Sequence, residues 1–422
     1  MTDPDPIVIT GMGAVSPLGV GVEANWQALM ASKSGIVVND RFDVTDFAAK
    51  IAGLVPPKDA PNGFDPVKFI DPKDVKKMDL FIQYGLAAAQ EALTQSGWVA
   101  DTPEKQAVTG TIIGSGVGGS PVMAEAAKTI IEKGPRRLSP FTVPSFLANL
   151  AAGWISIRYG FKGPIGAPVT ACAASAQAIG DAMRLIRTGE ADVMICGGAE
   201  GSVDPISVGG FAASRALNTT FNDRPTEASR PFDKAHAGFV LAEGAAVVVI
   251  ERLSHAKARG ATPLAIVAGY GTSADAYHLT SGSPDGAGAQ VAMRQAIKMA
   301  DITPDDIGYI NAHATSTEVG DNAEINGIRN LFGDRGETLA VSSTKSSTGH
   351  MLGAAGAMEA VISVLALRHQ MLPPTLNLVE PEDVAKQFDL VPKVAKPKAL
   401  KHVLSNSFGF GGVNASLVFS AI

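Results

Sequence analysis

The stretch Val169-Thr170-Ala171-Cys172-Ala173-Ala174-Ser175-Ala176-Gln177-Ala178-Ile179-Gly180 decides how the rest of the chain is read. A short apolar, β-branched run ends at Thr170, which predicts a strand. Small residues follow at helical spacing as far as Arg187, which predicts a helix. Cys172 then lies where the strand stops and the helix starts. The first amides of a helix lack intrahelical acceptors, and the macrodipole is positive there, so an anion is favoured. A thiolate is such an anion, so the position predicts a lowered thiol pKa and a nucleophilic sulfur. Taken alone, the stretch reads equally as a small buried side chain under a helix.

Working outward, strands and helices alternate. Ile7–Thr10 predicts a buried strand closed by a glycine turn at Gly11-Met12-Gly13. Val22–Ala31 predicts a short helix, and 41–68 a Pro- and Asp-punctuated excursion. Apolar spacing over Phe81–Ser96, stopped by Gly97, predicts a longer helix. Val108–Ile113 predicts a strand that runs into Gly114-Ser115-Gly116-Val117-Gly118-Gly119. That glycine run is superficially like a dinucleotide loop but lacks the acidic residue expected after the next strand. Cys196 lies inside the apolar run Asp192–Glu200 and reads as core, and Ala245–Glu251 closes the first half. The second half echoes the first. Pro263–Ala268 with Gly269-Tyr270-Gly271 matches Ile7–Gly13, Ile307–His313 matches 108–119, and a helix over Gly349–Leu367 matches the one after Cys172. The doubled alternation predicts a layered α/β chain with mostly parallel strand pairing.

Composition narrows the function. A chain of 422 residues has ample length for a large core, and 45 glycines with 6% aromatics suit close-packed strands and helices. The net charge of −6 argues against nucleic acid as the main partner. Two cysteines cannot form a disulfide framework, which points to a reducing cytoplasm. The acidic start Met-Thr-Asp-Pro-Asp-Pro runs straight into a strand with no visible secretory signal. Glycine or charge interrupts the longer apolar segments before about 18 residues, so no membrane span is expected.

Two histidines sit among small residues, in Asn311-Ala312-His313-Ala314-Thr315-Ser316-Thr317 and in Lys345-Ser346-Ser347-Thr348-Gly349-His350-Met351-Leu352-Gly353-Ala354-Ala355-Gly356. The order Cys…His…His, bounded by Val8-Ile9-Thr10-Gly11-Met12-Gly13 and Asn406-Ser407-Phe408-Gly409-Phe410-Gly411-Gly412, resembles the β-ketoacyl-acyl-carrier-protein synthases of the thiolase superfamily. The resemblance covers nearly the whole chain and is nearest to the chain-elongating type. It implies a five-layered α/β/α/β/α thiolase-like fold made of two halves, 1–254 and 255–422. It also implies a decarboxylative Claisen condensation of an acyl-carrier thioester with a malonyl-carrier thioester, in type II fatty-acid elongation.

On this resemblance Cys172 takes the acyl group, and the amides of Cys172 and Phe410 form the oxyanion hole. His313 and His350 hold the enolate oxygen, and Lys345 stands behind them paired with Asp321 and Glu324. Thr315 and Thr317 bind the phosphopantetheine arm, Phe410 gates the site, and Val117 and Phe211 line the acyl pocket. The resemblance implies no metal and no redox cofactor, an acyl carrier protein as partner, and a homodimer in the cytoplasm. An acidic chain that docks an acidic carrier needs a local basic patch, and Lys76-Lys77, Arg136-Arg137 and Arg215 supply candidates. Three positions depart from the family pattern. Ala314 follows the first histidine where Gly is common, Ala173-Ala174 replaces a hydroxyl or Gly pair, and Thr142 stands where a second Phe is common. A free-standing polyketide ketosynthase would look alike. A thioester hydrolase using Cys172, a histidine and Asn406 would leave the second histidine motif and Lys345 without a role. Retention of Cys172 argues against a non-catalytic chain-length partner, and His350 against a CoA-primed initiating synthase.

Overall fold

In the computed structural model, which describes residues 5–422, ten strands and six long helices build the frame around the site. The first half contributes strands β1 (Ile7–Ser16), β2 (Thr109–Gly114), β3 (Ile165–Gly166), β4 (Val193–Glu200) and β5 (Gly244–Arg252). Its helices are α1 (Leu80–Ser96), α2 (Leu150–Tyr159) and α3 (Ala174–Arg187). The second half contributes β6 (Ala265–Ala274), β7 (Ile307–Asn311), β8 (Ala340–Ser342), β9 (His402–Gly409) and β10 (Val413–Ser420). Its helices are α4 (Ala287–Met299), α5 (Glu318–Phe332) and α6 (Ala355–His369).

The strand order is β8-β7-β9-β10-β6-β1-β5-β4-β2-β3, so the second half repeats the first about its middle. The halves join where Val8 pairs with Ile266 and Ile9 with Ala265. Helices α3 and α6 pack on each other between the two half-sheets, α1 and α2 cover the outer face of the first, and α4 and α5 that of the second. The five layers of a thiolase-like fold result. Period-two alternation directs the strands into two layers of core at once. Met194 and Cys196 of β4 face the central helices with Ala246, Val248 and Ile250 of β5, while Val193, Ile195, Val247 and Val249 face α1 and α2. Leu352–His369 is long and apolar enough to cross a membrane by length and composition, yet it lies almost wholly inside the protein as the central core helix.

Four expectations change. The pairing is mixed: β2 is parallel to β3 and β4, and β7 to β8 and β9, while β1, β4, β5, β6, β9 and β10 meet antiparallel. Alternation suggested crossovers throughout. The long excursion 201–243 reverses β5 against β4, and the three-residue turn 410–412 makes β9–β10 a hairpin. Gly11 and Gly13 do not turn the chain but lie inside β1, pressed on α1. A Cβ there would fall 2.0 Å from Ala92 O and 1.9 Å from Ala88 O respectively. The strand before Cys172 ends at Gly166 rather than Thr170, because Pro164 and Pro168 deny it ladder donors. The helix after His350 begins at Ala355, so His350 is not at its N-terminus. The reading of the first residues as free of a signal falls on 1–4, outside the described residues.

Candidate active site

The two central helices begin alike. Ala171 and Leu352 adopt left-handed φ values of 49° and 44°, each opens a 3₁₀ turn, and α3 and α6 follow. The tight turn lifts Cys172 towards the second half while leaving it buried. β9 reaches across to it, and only glycine permits the approach. A Cβ on Gly409 would stand 2.7 Å from Thr170 O and 3.2 Å from Cys172 N. The next residue, Phe410, brings its backbone amide close enough to the Cys172 sulfur to favour the thiolate.

His350 follows Gly349, whose φ of 72° ends the short helix Lys345–Thr348. Its backbone amide bonds Val240 O, and its Nε2 lies 2.9 Å from Cys172 Sγ. His313 follows β7. Its amide and that of Ala314 donate to Glu324 Oε1 and Oε2 at 2.9 and 2.7 Å, and Asn406 donates to the same carboxylate at 3.0 Å. Thus Ala314 is accommodated in the loop. The two imidazoles stand 5.4 Å apart, nearly perpendicular, with Phe408 beside one and Phe239 beside the other. Lys345, almost fully buried, points its ammonium at His313 Nδ1, 3.4 Å away.

Lys345 is not paired with Asp321 or Glu324 as the sequence reading had it. Its ion-pair partner is Glu359 of α6. Asp321 instead accepts from the amides of Phe232 and Ser316 and holds His236 Nδ1 at 3.2 Å, which fixes the loop 229–238 over the site. Glu200, at the end of β4, was also missed. It accepts from Gly116 N at 2.7 Å and Gly353 N at 3.1 Å, tying the glycine run of the first half to the 3₁₀ turn of the second. The available signal was a lone acid inside an otherwise apolar element, which cannot be buried without partners.

Burial pushes the Cys172 thiol up to about 12. Lys345 and the Phe410 amide pull it down, and Glu200 and Glu359 push it up. The expected lowering by the helix start is therefore corrected, because desolvation of the thiolate outweighs it. Burial and the Lys345 charge hold His313 and His350 well below the usual imidazole range, so both rings are neutral. Burial also raises Glu324 and Glu359 to about 7. Alkylation of Cys172 by iodoacetamide is accordingly expected to accelerate continuously from about pH 7 to about pH 10, since the thiolate fraction grows about tenfold per pH unit below the pKa. A rate already level near pH 7, followed on the Cys172 peptide, would show a resident thiolate instead.

A cavity of about 660 Å³ opens onto these groups. Its walls include Cys172, His313, His350 and Phe410, together with Val117, Phe211, Thr315, Thr317 and Glu324. The hydroxyls of Thr315 and Thr317 are 3.0 Å apart. Arg215 lines the mouth, whereas Lys76, Arg136 and Arg137 are exposed and lie off its wall. Lys77 is only partly exposed and spends its charge on Asp74 at 2.6 Å, so the Lys76-Lys77 cluster offers one free cation rather than two. Thr142 is not in the cavity wall.

Comparison with known proteins gives concordant results. Sequence profiles of the β-ketoacyl synthase N-terminal and C-terminal domains match residues 4–256 and 264–379. A 3-oxoacyl-[acyl-carrier-protein] synthase 2 of Rhizobium meliloti (strain 1021) is 50% identical over 98% of both chains. A β-ketoacyl synthase structure from Burkholderia phymatum superposes with a TM-score of 0.90 at 32% identity, over 99% of this chain and 100% of that one. A type II polyketide ketosynthase, solved in complex with its acyl carrier protein, superposes with a TM-score of 0.88 at 31% identity over the whole of both chains.

Proposed function

The chain belongs to the β-ketoacyl synthase family, and from that premise we propose how its own residues carry out the family's reaction. The protein is a condensing acyltransferase of fatty-acid elongation. It joins an acyl group and malonyl, both delivered on acyl carrier protein, into a 3-oxoacyl-carrier thioester and releases CO2. The observation that supports the residue roles best is the convergence of Cys172 Sγ, His350 Nε2 and the Phe410 amide on a cavity of about 660 Å³ that Thr315 and Thr317 also line.

In the first half-reaction the Cys172 sulfur attacks the acyl thioester. Its proton passes to His350 Nε2, the acceptor within reach, and leaves on the departing carrier thiol. The Phe410 and Cys172 amides hold the oxyanion, each such donor being worth roughly 3–4 kcal/mol. In the second half-reaction malonyl loses CO2 and its thioester becomes an enolate. The Lys345 ammonium faces His313 Nδ1, which places the ring proton on Nε2, ready to donate to the enolate oxygen. His350 donates alongside it once acylation has removed the thiol proton and the ring's single proton has moved from Nδ1 to Nε2. The enolate carbon then attacks the acyl-Cys172 carbonyl and the sulfur leaves. The sulfur leaves as a thiolate, and one proton taken up from solvent restores the Cys172 thiol and balances the reaction. Glu359 neutralises Lys345 and is a positioning residue.

Further roles complete the reading. Thr315 and Thr317 bind the phosphopantetheine arm, Val117 and Phe211 bound the acyl chain, and Phe410, with its ring 6.4 Å from that of Phe211, gates the entrance. The halves divide at 254/255, supported by the end of the N-terminal domain match at residue 256. A homodimer is supported by the open edge at β3 and the exposed Ile131, Ile157, Ile165 and Val169. Both cysteines are free thiols, in keeping with the cytoplasm. Incubation with acyl- and malonyl-carrier substrates is expected to yield a carrier-bound 3-oxoacyl chain two carbons longer. Hydrolysis to free acid would instead favour the thioesterase alternative.

The carrier is met by Arg136, Arg137 and Arg215, with Lys76 adding charge. Rim charges act mainly on association. Reversing Arg136 and Arg137 to Glu is expected to raise KM for carrier-bound substrates and flatten its salt dependence, with turnover of a small free thioester unchanged. Equal losses on both substrate types would point to damaged structure rather than lost docking.

A further inference from the structure

The three groups that would do the chemistry also have the composition of a metal site. One ligand atom each from Cys172, His313 and His350 lies within 4.8 Å of the other two. A tetrahedral zinc ion with one sulfur and two nitrogen ligands needs them roughly 3.5 Å apart, so the widest separation would close by about 1.3 Å, shared between two side chains. Cys172 Sγ and His350 Nε2 already stand at 2.9 Å. Three protein ligands and an open cavity on the fourth side match the open type of zinc site. Three buried acids, Glu200, Glu324 and Glu359, surround the ammonium of Lys345, and burial raises all three, so each would give up its proton more readily beside a cation.

We propose that Cys172, His313 and His350 form a latent inhibitory site for Zn2+, which captures the nucleophile as a zinc thiolate, and that Lys345 keeps this site weak. On binding, the thiol proton leaves for solvent and the sulfur, His350 Nε2 and His313 Nε2 become ligands, with water in the fourth position. His313 must then carry its ring proton on Nδ1, where it meets the Lys345 ammonium donor to donor at the 3.4 Å contact. The lysine that sets the tautomer for enolate binding therefore penalises the tautomer that zinc needs. A zinc-bound sulfur cannot be acylated, so inhibition competes with acyl-carrier substrate and is reversed by chelation.

Cobalt reports on the site directly and independently of turnover, so its result stands even if the proposed residue roles in condensation fail. Anaerobic addition of Co2+ to the intact protein is expected to give a sulfur-to-cobalt charge-transfer band and tetrahedral d–d bands at one metal per chain. Zn2+ should discharge them, following its higher affinity for such ligands. Cys196→Ala should keep the band, while Cys172→Ala or prior alkylation of Cys172 should abolish it. In Lys345→Met, or in Lys345→Met/Glu359→Gln should the single variant fail to fold, zinc is expected to bind roughly 10–100-fold tighter. Absence of the band from the wild-type protein, or its persistence in folded Cys172→Ala, would overturn the site. Unchanged zinc affinity in a folded Lys345 variant would overturn the role of the lysine.

Discussion

Cys172→Ala is expected to abolish condensation, with turnover falling by roughly 10⁶-fold, the scale seen when a hydrolase loses its nucleophile. The change removes a sulfur from a site already walled by small and apolar side chains, so the fold should survive; Leu352 and Phe239 sit in the same apolar cluster. An unchanged melting temperature together with lost product formation is the result that bears on chemistry. Cys196→Ala is the control. Its thiol lies in the central core on β4, and burial alone pushes it up, with no partner nearby to ionise it. Full condensation by Cys172→Ala would remove the premise of the two-step route.

His313→Ala and His350→Ala are each expected to cut malonyl decarboxylation by about 10²–10³-fold, the cost of deleting one donor to a developing oxyanion. Acylation of Cys172 should suffer less in His313→Ala, because the acyl oxyanion is held by backbone amides. The pH dependence follows from the direction of the shifts. Both rings titrate well below the ordinary imidazole value, so in the folded protein they remain neutral from alkaline pH down through about 6.5. Neither imidazole should therefore add a step to decarboxylation near pH 6.5, and a change of rate near pH 7 would report Glu324 or Glu359 instead. Stability behaves differently. Below about pH 6.5 the unfolded chain takes up protons that the folded site refuses, so each ring contributes a loss of stability as the pH falls towards its folded pKa. Carbon dioxide release at the wild-type rate in either variant would exclude that ring as an enolate donor.

Much of this site was legible in the sequence because catalysis and close packing leave the same mark. Cys172, His313 and His350 each stand in runs of small residues, and such runs are what allow two halves of a fold to meet at a point. The internal repeat was legible too, since β1 with β6 and β2 with β7 carry matching apolar strands. Pairing direction was not legible, because an alternating pattern fixes which face of a strand is buried and says nothing of the neighbour's sense. The partner of Lys345 was misread for a related reason. Glu359 is the acid on a helix that is apolar all round, and burial of that helix obliges the acid to meet a cation. The family resemblance drew attention to Asp321 and Glu324 instead. The thiol pKa was misjudged because the helix start was weighed without the desolvation that comes with a closed site.

The most direct test of the account is to incubate the protein with acyl-carrier thioesters of several lengths, quench before malonyl-carrier is added, and locate the adduct by peptide mass spectrometry. The account predicts one acyl group per chain on the peptide containing Cys172, discharged as 3-oxoacyl-carrier when malonyl-carrier follows. An adduct on Cys196, or product formed with no acyl group ever carried on Cys172, would contradict it.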